Sequence, residues 1–202
     1  MTPTIAEPIV ATPPNGAPPR RKLLTAADLA AMKTDLPGGT VKYELNDGVL
    51  VVMAPPGGFH ARYQAKTIIR LDAAESLGLG EVQGEVGIIL RRNPDRVVGA
   101  DAAFILKKSL PARMSPEGYL ETIPELVVEI RSKNDTNAEI AVKAEEYFAA
   151  GVQVVWIVDP TARTLAAHRP DTSVIVFRGD EPVTCDLLPG FAVPAARFFD
   201  GV

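Results

Sequence analysis

From Glu125 to Pro160 the chain reads ELVVEIRSKNDTNAEIAVKAEEYFAAGVQVVWIVDP. Two apolar strands, LVVEI and VQVVWIVDP, bracket a helix whose ends are written into the sequence. Thr136 and Glu139 have the spacing of a capping box, and Gly151 supplies a C-terminal stop. A long helix connecting two strands, in a chain where strand patterns outnumber helical ones, predicts an α/β or α+β single domain with a mixed sheet.

The first of these strands carries an anomaly. Ionised side chains almost never sit unpaired in a buried strand, yet Glu129 and Arg131 interrupt this one. Side chains alternate along a strand, so Val127, Glu129 and Arg131 share one face and Leu126, Val128 and Ile130 the other. A second carboxylate, Asp101, stands before the apolar run Ala102 to Leu106 in VVGADAAFIL. If the two strands are neighbours, Asp101 and Glu129 converge on one point. Carboxylates that close repel unless one is protonated or a cation lies between them. Hard oxygen ligands in small number, completed by water, suit Mg²⁺, with Mn²⁺ as a substitute. On the following helix Lys143 borders the apolar stripe Ile140, Ala144, Tyr147 and Phe148. Its ammonium either reaches solvent or points at the carboxylates.

Elsewhere the signals are local. Residues 1–22 are rich in Pro, Thr and Ala and predict a disordered tail, leaving 23–202 as one domain. Thr25 caps a short helix, AADLAAMK. The turn Asn46-Asp47-Gly48 joins two strands of a hairpin. An amphipathic helix runs from Gly58 to Ser76 and ends at Gly78 and Gly80. The strand segments EVQGEVGIIL and VVGADAAFIL are joined by Arg91 to Asp95. An irregular connection spans Lys108 to Pro124, and the strands TLAAHRP and TSVIVFR follow VQVVWIVDP.

The segments ADAAFIL, PELVVEIRS, the helix with Lys143 and Tyr147, and GVQVVWIVDP together resemble the Uma-type restriction-endonuclease family, a branch of the PD-(D/E)XK nuclease superfamily. The similarity runs from about Leu24 to Phe199 and takes in YELNDGVLVVMAPP, His60 and LLPGF. The resemblance implies a restriction-endonuclease-like core with the acidic pair on adjacent strands and Mg²⁺ between them. Asp101 matches the motif aspartate and Glu129 the motif glutamate. Ile130 matches the position whose backbone carbonyl completes the metal shell. Arg131 stands where the superfamily has its lysine, and Ala100 where a proline usually precedes the aspartate. Arginine stays protonated and cannot act as a base, although it can offset negative charge. Lys143 could supply the missing ammonium. The implied activity is metal-assisted hydrolysis of DNA phosphodiesters by Asp101, Glu129, Arg131 and Lys143. A homodimer is expected, because cutting both strands of a duplex favours two-fold symmetry.

Plainer readings stand beside this one. Asp101 and Glu129 could form a buried ion pair with Arg131 that only fixes register. Glu44 and His60 are secondary site candidates, His60 also reading as a capping or packing residue. Lys133 and Asn134 lie in the loop after the acidic strand, Asp135 reads as a turn residue, and His168 as an exposed strand or turn residue. Trp156 and Tyr147 read as core aromatics. The rival function is a nucleic-acid-binding or assembly protein that kept the fold and lost the chemistry. A dinucleotide enzyme is excluded, since no Gly-rich phosphate loop follows a strand.

Net charge −4 argues against a polyanion binder acting over its whole surface, but local clusters at Arg20-Arg21-Lys22, Arg91-Arg92 and Lys107-Lys108 leave nucleic acid open. No apolar run approaches the roughly 18 residues of a membrane span. The lone Cys185 reads as a small buried side chain, and a cytoplasmic location is the default expectation.

Overall fold

The structure, a computed structural model, describes residues 4–5, 22–36, 39–53, 57–112 and 118–201. In chain order the elements begin with β1 (Thr4–Ile5), α1 (Ala26–Ala30), β2 (Asp35–Leu36), β3 (Gly39–Thr40), β4 (Lys42–Asn46) and β5 (Val49–Met53). Then come α2 (Gly58–Ser76), β6 (Gly80–Arg91), β7 (Arg96–Leu106), β8 (Leu126–Ile130) and α3 (Asn137–Ala150). The chain closes with β9 (Val154–Asp159), β10 (Thr164–His168), β11 (Ile175–Arg178), β12 (Pro182–Val183) and β13 (Val193–Pro194).

One mixed sheet organises the molecule, in the order β1-β5-β4-β7-β8-β9-β10-β11, with β6 also paired to β7. Strands β8 and β9 are parallel, from Leu126 opposite Val154 to Ile130 opposite Val158, as the α3 crossover requires. Strand β7 runs antiparallel to β8, with Ala102 opposite Val128 and Phe104 opposite Leu126.

The two sheet faces bury different helices. Tyr63 and Leu71 of α2 pack with Phe104, Val128, Trp156 and Phe198. Ala144 and Tyr147 of α3 pack with Val127, Val155 and Ile157 on the opposite face. A smaller cluster unites Ala26, Leu29, Leu45, Ile89 and Val97.

Local chemistry fixes the element ends. The Thr136–Glu139 capping box forms, and Gly151 closes α3 at φ 110, a left-handed conformation that glycine adopts without steric cost. Helix α1 stops at Ala30, shorter than AADLAAMK, behind a capping box of Thr25 and Asp28. Asp47 and Gly48 turn the β4–β5 hairpin at φ 52 and 74. A side chain on Gly48 would meet Leu23 Cβ at 2.7 Å.

The β6–β7 hairpin is irregular at one position. Its ladder pairs Gly84 with Ala102 and Val86 with Ala100, passing over Glu85 and Asp101 between them. Glu85 has φ 49, which a non-glycine residue rarely adopts. The inward alternation also breaks there: Val98 and Ala100 lie in the same cluster as Ala103 and Ile105. Asp101 sits at the break. Irregularities of this kind re-aim side chains near functional sites.

The α+β class and mixed sheet agree with the sequence reading. The miniature pairs β2–β3 and β12–β13 had no sequence signal, since two residues cannot show a period. The irregular connection contains a short 3₁₀ turn, Lys107–Ser109, and an isolated bridge from Leu120 to Ile88. Of the expected tail, Thr4–Ile5 pair with β5 and Lys22 lies 3.9 Å from Asp28 Oδ1; the rest of that expectation lies outside the described residues.

Candidate active site

The β7–β8 register puts Asp101 and Glu129 in consecutive position after the pair Ala102–Val128. Asp101 spans the gap to the neighbouring strand itself, its Oδ2 accepting the Ile130 N–H at 2.7 Å. Its other oxygen, Oδ1, meets His60 Nε2 from α2 at 2.8 Å. One turn further along α2, buried Gln64 donates to the Asp101 carbonyl at 2.9 Å. The aspartate is thus fixed at side chain and backbone by a single helix.

Glu129 points to the other side, toward α3. Its Oε1 accepts the Tyr147 hydroxyl at 2.5 Å, and its Oε2 lies 2.7 Å from Lys143 Nζ. Lys143 and Tyr147 are four residues apart, so both reach the same carboxylate from one helical face. The Glu129 side chain is 12% exposed. Burial pushes its pKa up to about 7; the Asp101 charge adds to the rise, while Lys143 and Tyr147 oppose it. Burial alone would lower Lys143, but the charges of Glu129 and Glu44 outweigh it and hold the ammonium above its ordinary value. Burial and the Glu129 charge hold the Tyr147 phenol protonated. The hydrogen bond to Asp101 raises His60 against the opposing effect of burial.

A cavity of about 120 Å³ opens beside Glu129, bordered by Arg131, Asp135, Glu139, Lys143 and Tyr147. Arg131 shares this cavity, but its guanidinium is engaged elsewhere. Nη1 lies 3.2 Å from Asp159 Oδ2, and Nη2 donates to the Asp135 carbonyl at 3.1 Å. Arg131 follows the last residue of β8, where the end of β9 offers a nearer carboxylate.

Glu44 accepts the Gly99 N–H at 3.0 Å and lies 3.5 Å from Arg96 Nη1. Asp135 is a turn residue, accepting the backbone and hydroxyl of Ser132 at 2.8 and 2.9 Å. Lys133 and Asn134 are exposed in the same loop. The Arg91-Arg92 cluster is neutralised in place by Asp47, Asp95 and Glu121. Sequence reasoning took Tyr147 for a core aromatic and passed over Gln64. For Tyr147 the usable signal was its i+4 spacing from Lys143.

Among the described residues no three His, Cys, Asp or Glu side chains are grouped to hold a metal by themselves. The donor chemistry nevertheless suits a hydrated hard cation. Burial is the main cause of the raised Glu129 pKa and the Asp101 charge adds to it. Asp101 is turned toward His60 of α2 and Glu129 toward α3, and each oxygen keeps a lone pair beyond the hydrogen bond it accepts.

Two adjacent strands of a mixed sheet with helices on both faces, β7 and β8, thus carry one acid each. Residues 30–196 match the family model Uma2, described as "Putative restriction endonuclease", and the chain belongs to that family. The crystal structure of "a putative nuclease belonging to DUF820" from Anabaena variabilis is similar, with TM-score 0.64 and 17% identity over 78% of this chain and 89% of that one. At this identity the likeness is one of fold. No curated protein matches the chain. Membership supports a nuclease-like function, and no helix among the described residues is long and apolar enough to cross a membrane.

Proposed function

We propose that the protein is a Mg²⁺-dependent endonuclease that hydrolyses DNA phosphodiester bonds as a cytoplasmic homodimer. The observation that carries this reading is Asp101 bonded to the Ile130 N–H, one residue from Glu129, with Lys143 on the glutamate's far oxygen.

Asp101, Glu129 and the Ile130 carbonyl are the groups that would hold the ion. When bound, Mg²⁺ polarises a phosphoryl oxygen and lowers the pKa of a coordinated water. The chain's own residues prepare that chemistry. His60 and Gln64 fix the Asp101 carboxylate and backbone, and Tyr147 fixes the Glu129 rotamer. The Lys143 ammonium orients the attacking water and offsets negative charge developing at phosphorus. This assigns to Lys143 the work of the superfamily lysine. Arg131, braced by Asp159, keeps a positive charge on the cavity wall.

One observation favours a second reading. The guanidinium at the motif-lysine position is turned to Asp159, as expected of a protein that retained the fold for nucleic-acid binding or assembly and lost catalysis.

Purified protein incubated with plasmid, single-stranded DNA and RNA, with and without Mg²⁺, separates the two. Mg²⁺-dependent cleavage that disappears in both Asp101→Ala and Glu129→Ala is the expected result. Cleavage unchanged in either variant sinks the assignment. Binding without cleavage supports the second reading.

A further inference from the structure

The candidate site has more acids than strong cations. Lys143 feels the charges of Glu129, Glu44 and Asp101. A fourth carboxylate, Glu146, lies three residues after Lys143 on α3, a spacing at which side chains on one helix readily pair. Lys143 therefore has a competing acceptor on its own helix. Both side chains are partly open to solvent, 38% and 37%, so neither is locked by packing.

Arg96 removes that competitor. Its side chain is only 14% exposed, and it reaches from β7 to α3. Nη2 and Nε lie 2.7 and 3.3 Å from Glu146 Oε2. Nη1 donates to the Leu45 carbonyl at 3.0 Å and stands 3.5 Å from Glu44 Oε2. One rigid guanidinium thus engages both outer carboxylates, a task for which a lysine's single ammonium is poorly shaped.

We infer that Arg96 is a positioning residue: by occupying Glu146 it reserves the Lys143 ammonium for Glu129. The catalytic consequence rests on the nuclease reading; the allocation of contacts does not. Without Arg96, Glu146 is left without its partner cation, and Lys143 swings to it across one helical turn. Glu129 then loses its only ammonium among the described contacts.

The test is a cycle of Arg96→Met, Glu146→Gln and the double variant, read by crystal structure and by steady-state cleavage. Arg96→Met is expected to bring Lys143 Nζ onto Glu146 and to lower kcat roughly 10²-fold with little change in KM. The double variant, which deletes the competitor as well, returns Lys143 to Glu129 and restores most of the lost kcat. A merely structural salt bridge predicts the reverse, a double variant no better than the single one, and that result overturns the inference. So does a crystal structure of Arg96→Met with Lys143 still on Glu129. If Arg96→Met does not fold, Arg96→Lys replaces it, and rescue by Glu146→Gln is again the deciding outcome. If wild-type protein cuts no nucleic acid, the nuclease reading fails alone, because the position of Lys143 in the variant crystal still decides this inference.

Discussion

Lys143 Nζ and Glu129 Oε2 stand 2.7 Å apart, joining the crossover helix to the strand that precedes it. Lys143→Met removes the ammonium and leaves a side chain of similar length. Its loss takes away the strongest influence opposing the rise in Glu129, so that carboxyl should titrate above about 7. Cleavage should fall roughly 10²-fold, as for removal of one group acting on the water. Carbon-13 NMR of labelled glutamate and a plasmid assay check both. An unchanged Glu129 titration contradicts the pairing.

Metal affinity should depend on pH through Glu129. Cation binding requires the carboxylate, and the group is half ionised only near pH 7. Mn²⁺ affinity is therefore expected to climb from pH 6 to pH 8, with proton release on binding. Calorimetry in buffers of different ionisation enthalpy reads the released proton. Affinity that is flat across this window rules out Glu129 as the titrating ligand.

The same shift bears on metal-free stability. The folded-state pKa of Glu129 is raised from 4.5 to about 7, so the fold favours the neutral acid. Stability from this source is intact below pH 4.5 and is lost as pH rises toward 7, by up to about 3 kcal/mol. Glu129→Gln should flatten that part of the curve, as urea denaturation at pH 5 and pH 8 would reveal.

His60 has the opposite sense of charge. Its pKa is raised by Asp101, so its contribution is full below pH 6.5 and fades as pH climbs through the folded value. Asp101→Asn should lower the His60 pKa toward or below that of a free imidazole. Proton NMR of the imidazole ring is a direct readout, simplified because the chain has two histidines.

Glu85 at φ 49 offers a test of the backbone. Glu85→Gly should leave stability unchanged or raise it by about 1 kcal/mol, since glycine accepts this conformation freely. The exposed Lys42 pair lost with it, 3.1 Å long, is worth little. Glu85→Val should destabilise and weaken Mn²⁺ binding through Asp101. Thermal melts with and without Mn²⁺ distinguish the two substitutions.

What the sequence disclosed follows the range of the interactions involved. Helix α3 was readable to the residue because Thr136, Glu139 and Gly151 act within one turn of where they stand. The adjacency of the strands that carry Asp101 and Glu129 was a guess from two charges in apolar strands, and β7 and β8 do pair. That Asp101 turns to α2 and Glu129 to α3 had no local signal. Strand alternation grouped Arg131 with Glu129, but the strand ends at Ile130, and a carboxylate on β9 draws the guanidinium away. The His60–Asp101 contact bridges 41 positions, and no local pattern specifies it. Arg91 and Arg92 read as a local basic cluster because their acidic partners are scattered from Asp47 to Glu121.

Strand β7 answers to two cores, Ala102 and Phe104 in one and Val98, Ala100, Ala103 and Ile105 in the other. The break at Asp101 lets residues before and after it share the second core, so a cavity or an overfilled position in either core is passed along the strand to the aspartate. Distant substitutions such as Phe104→Ala would then be felt at the aspartate before the domain melts.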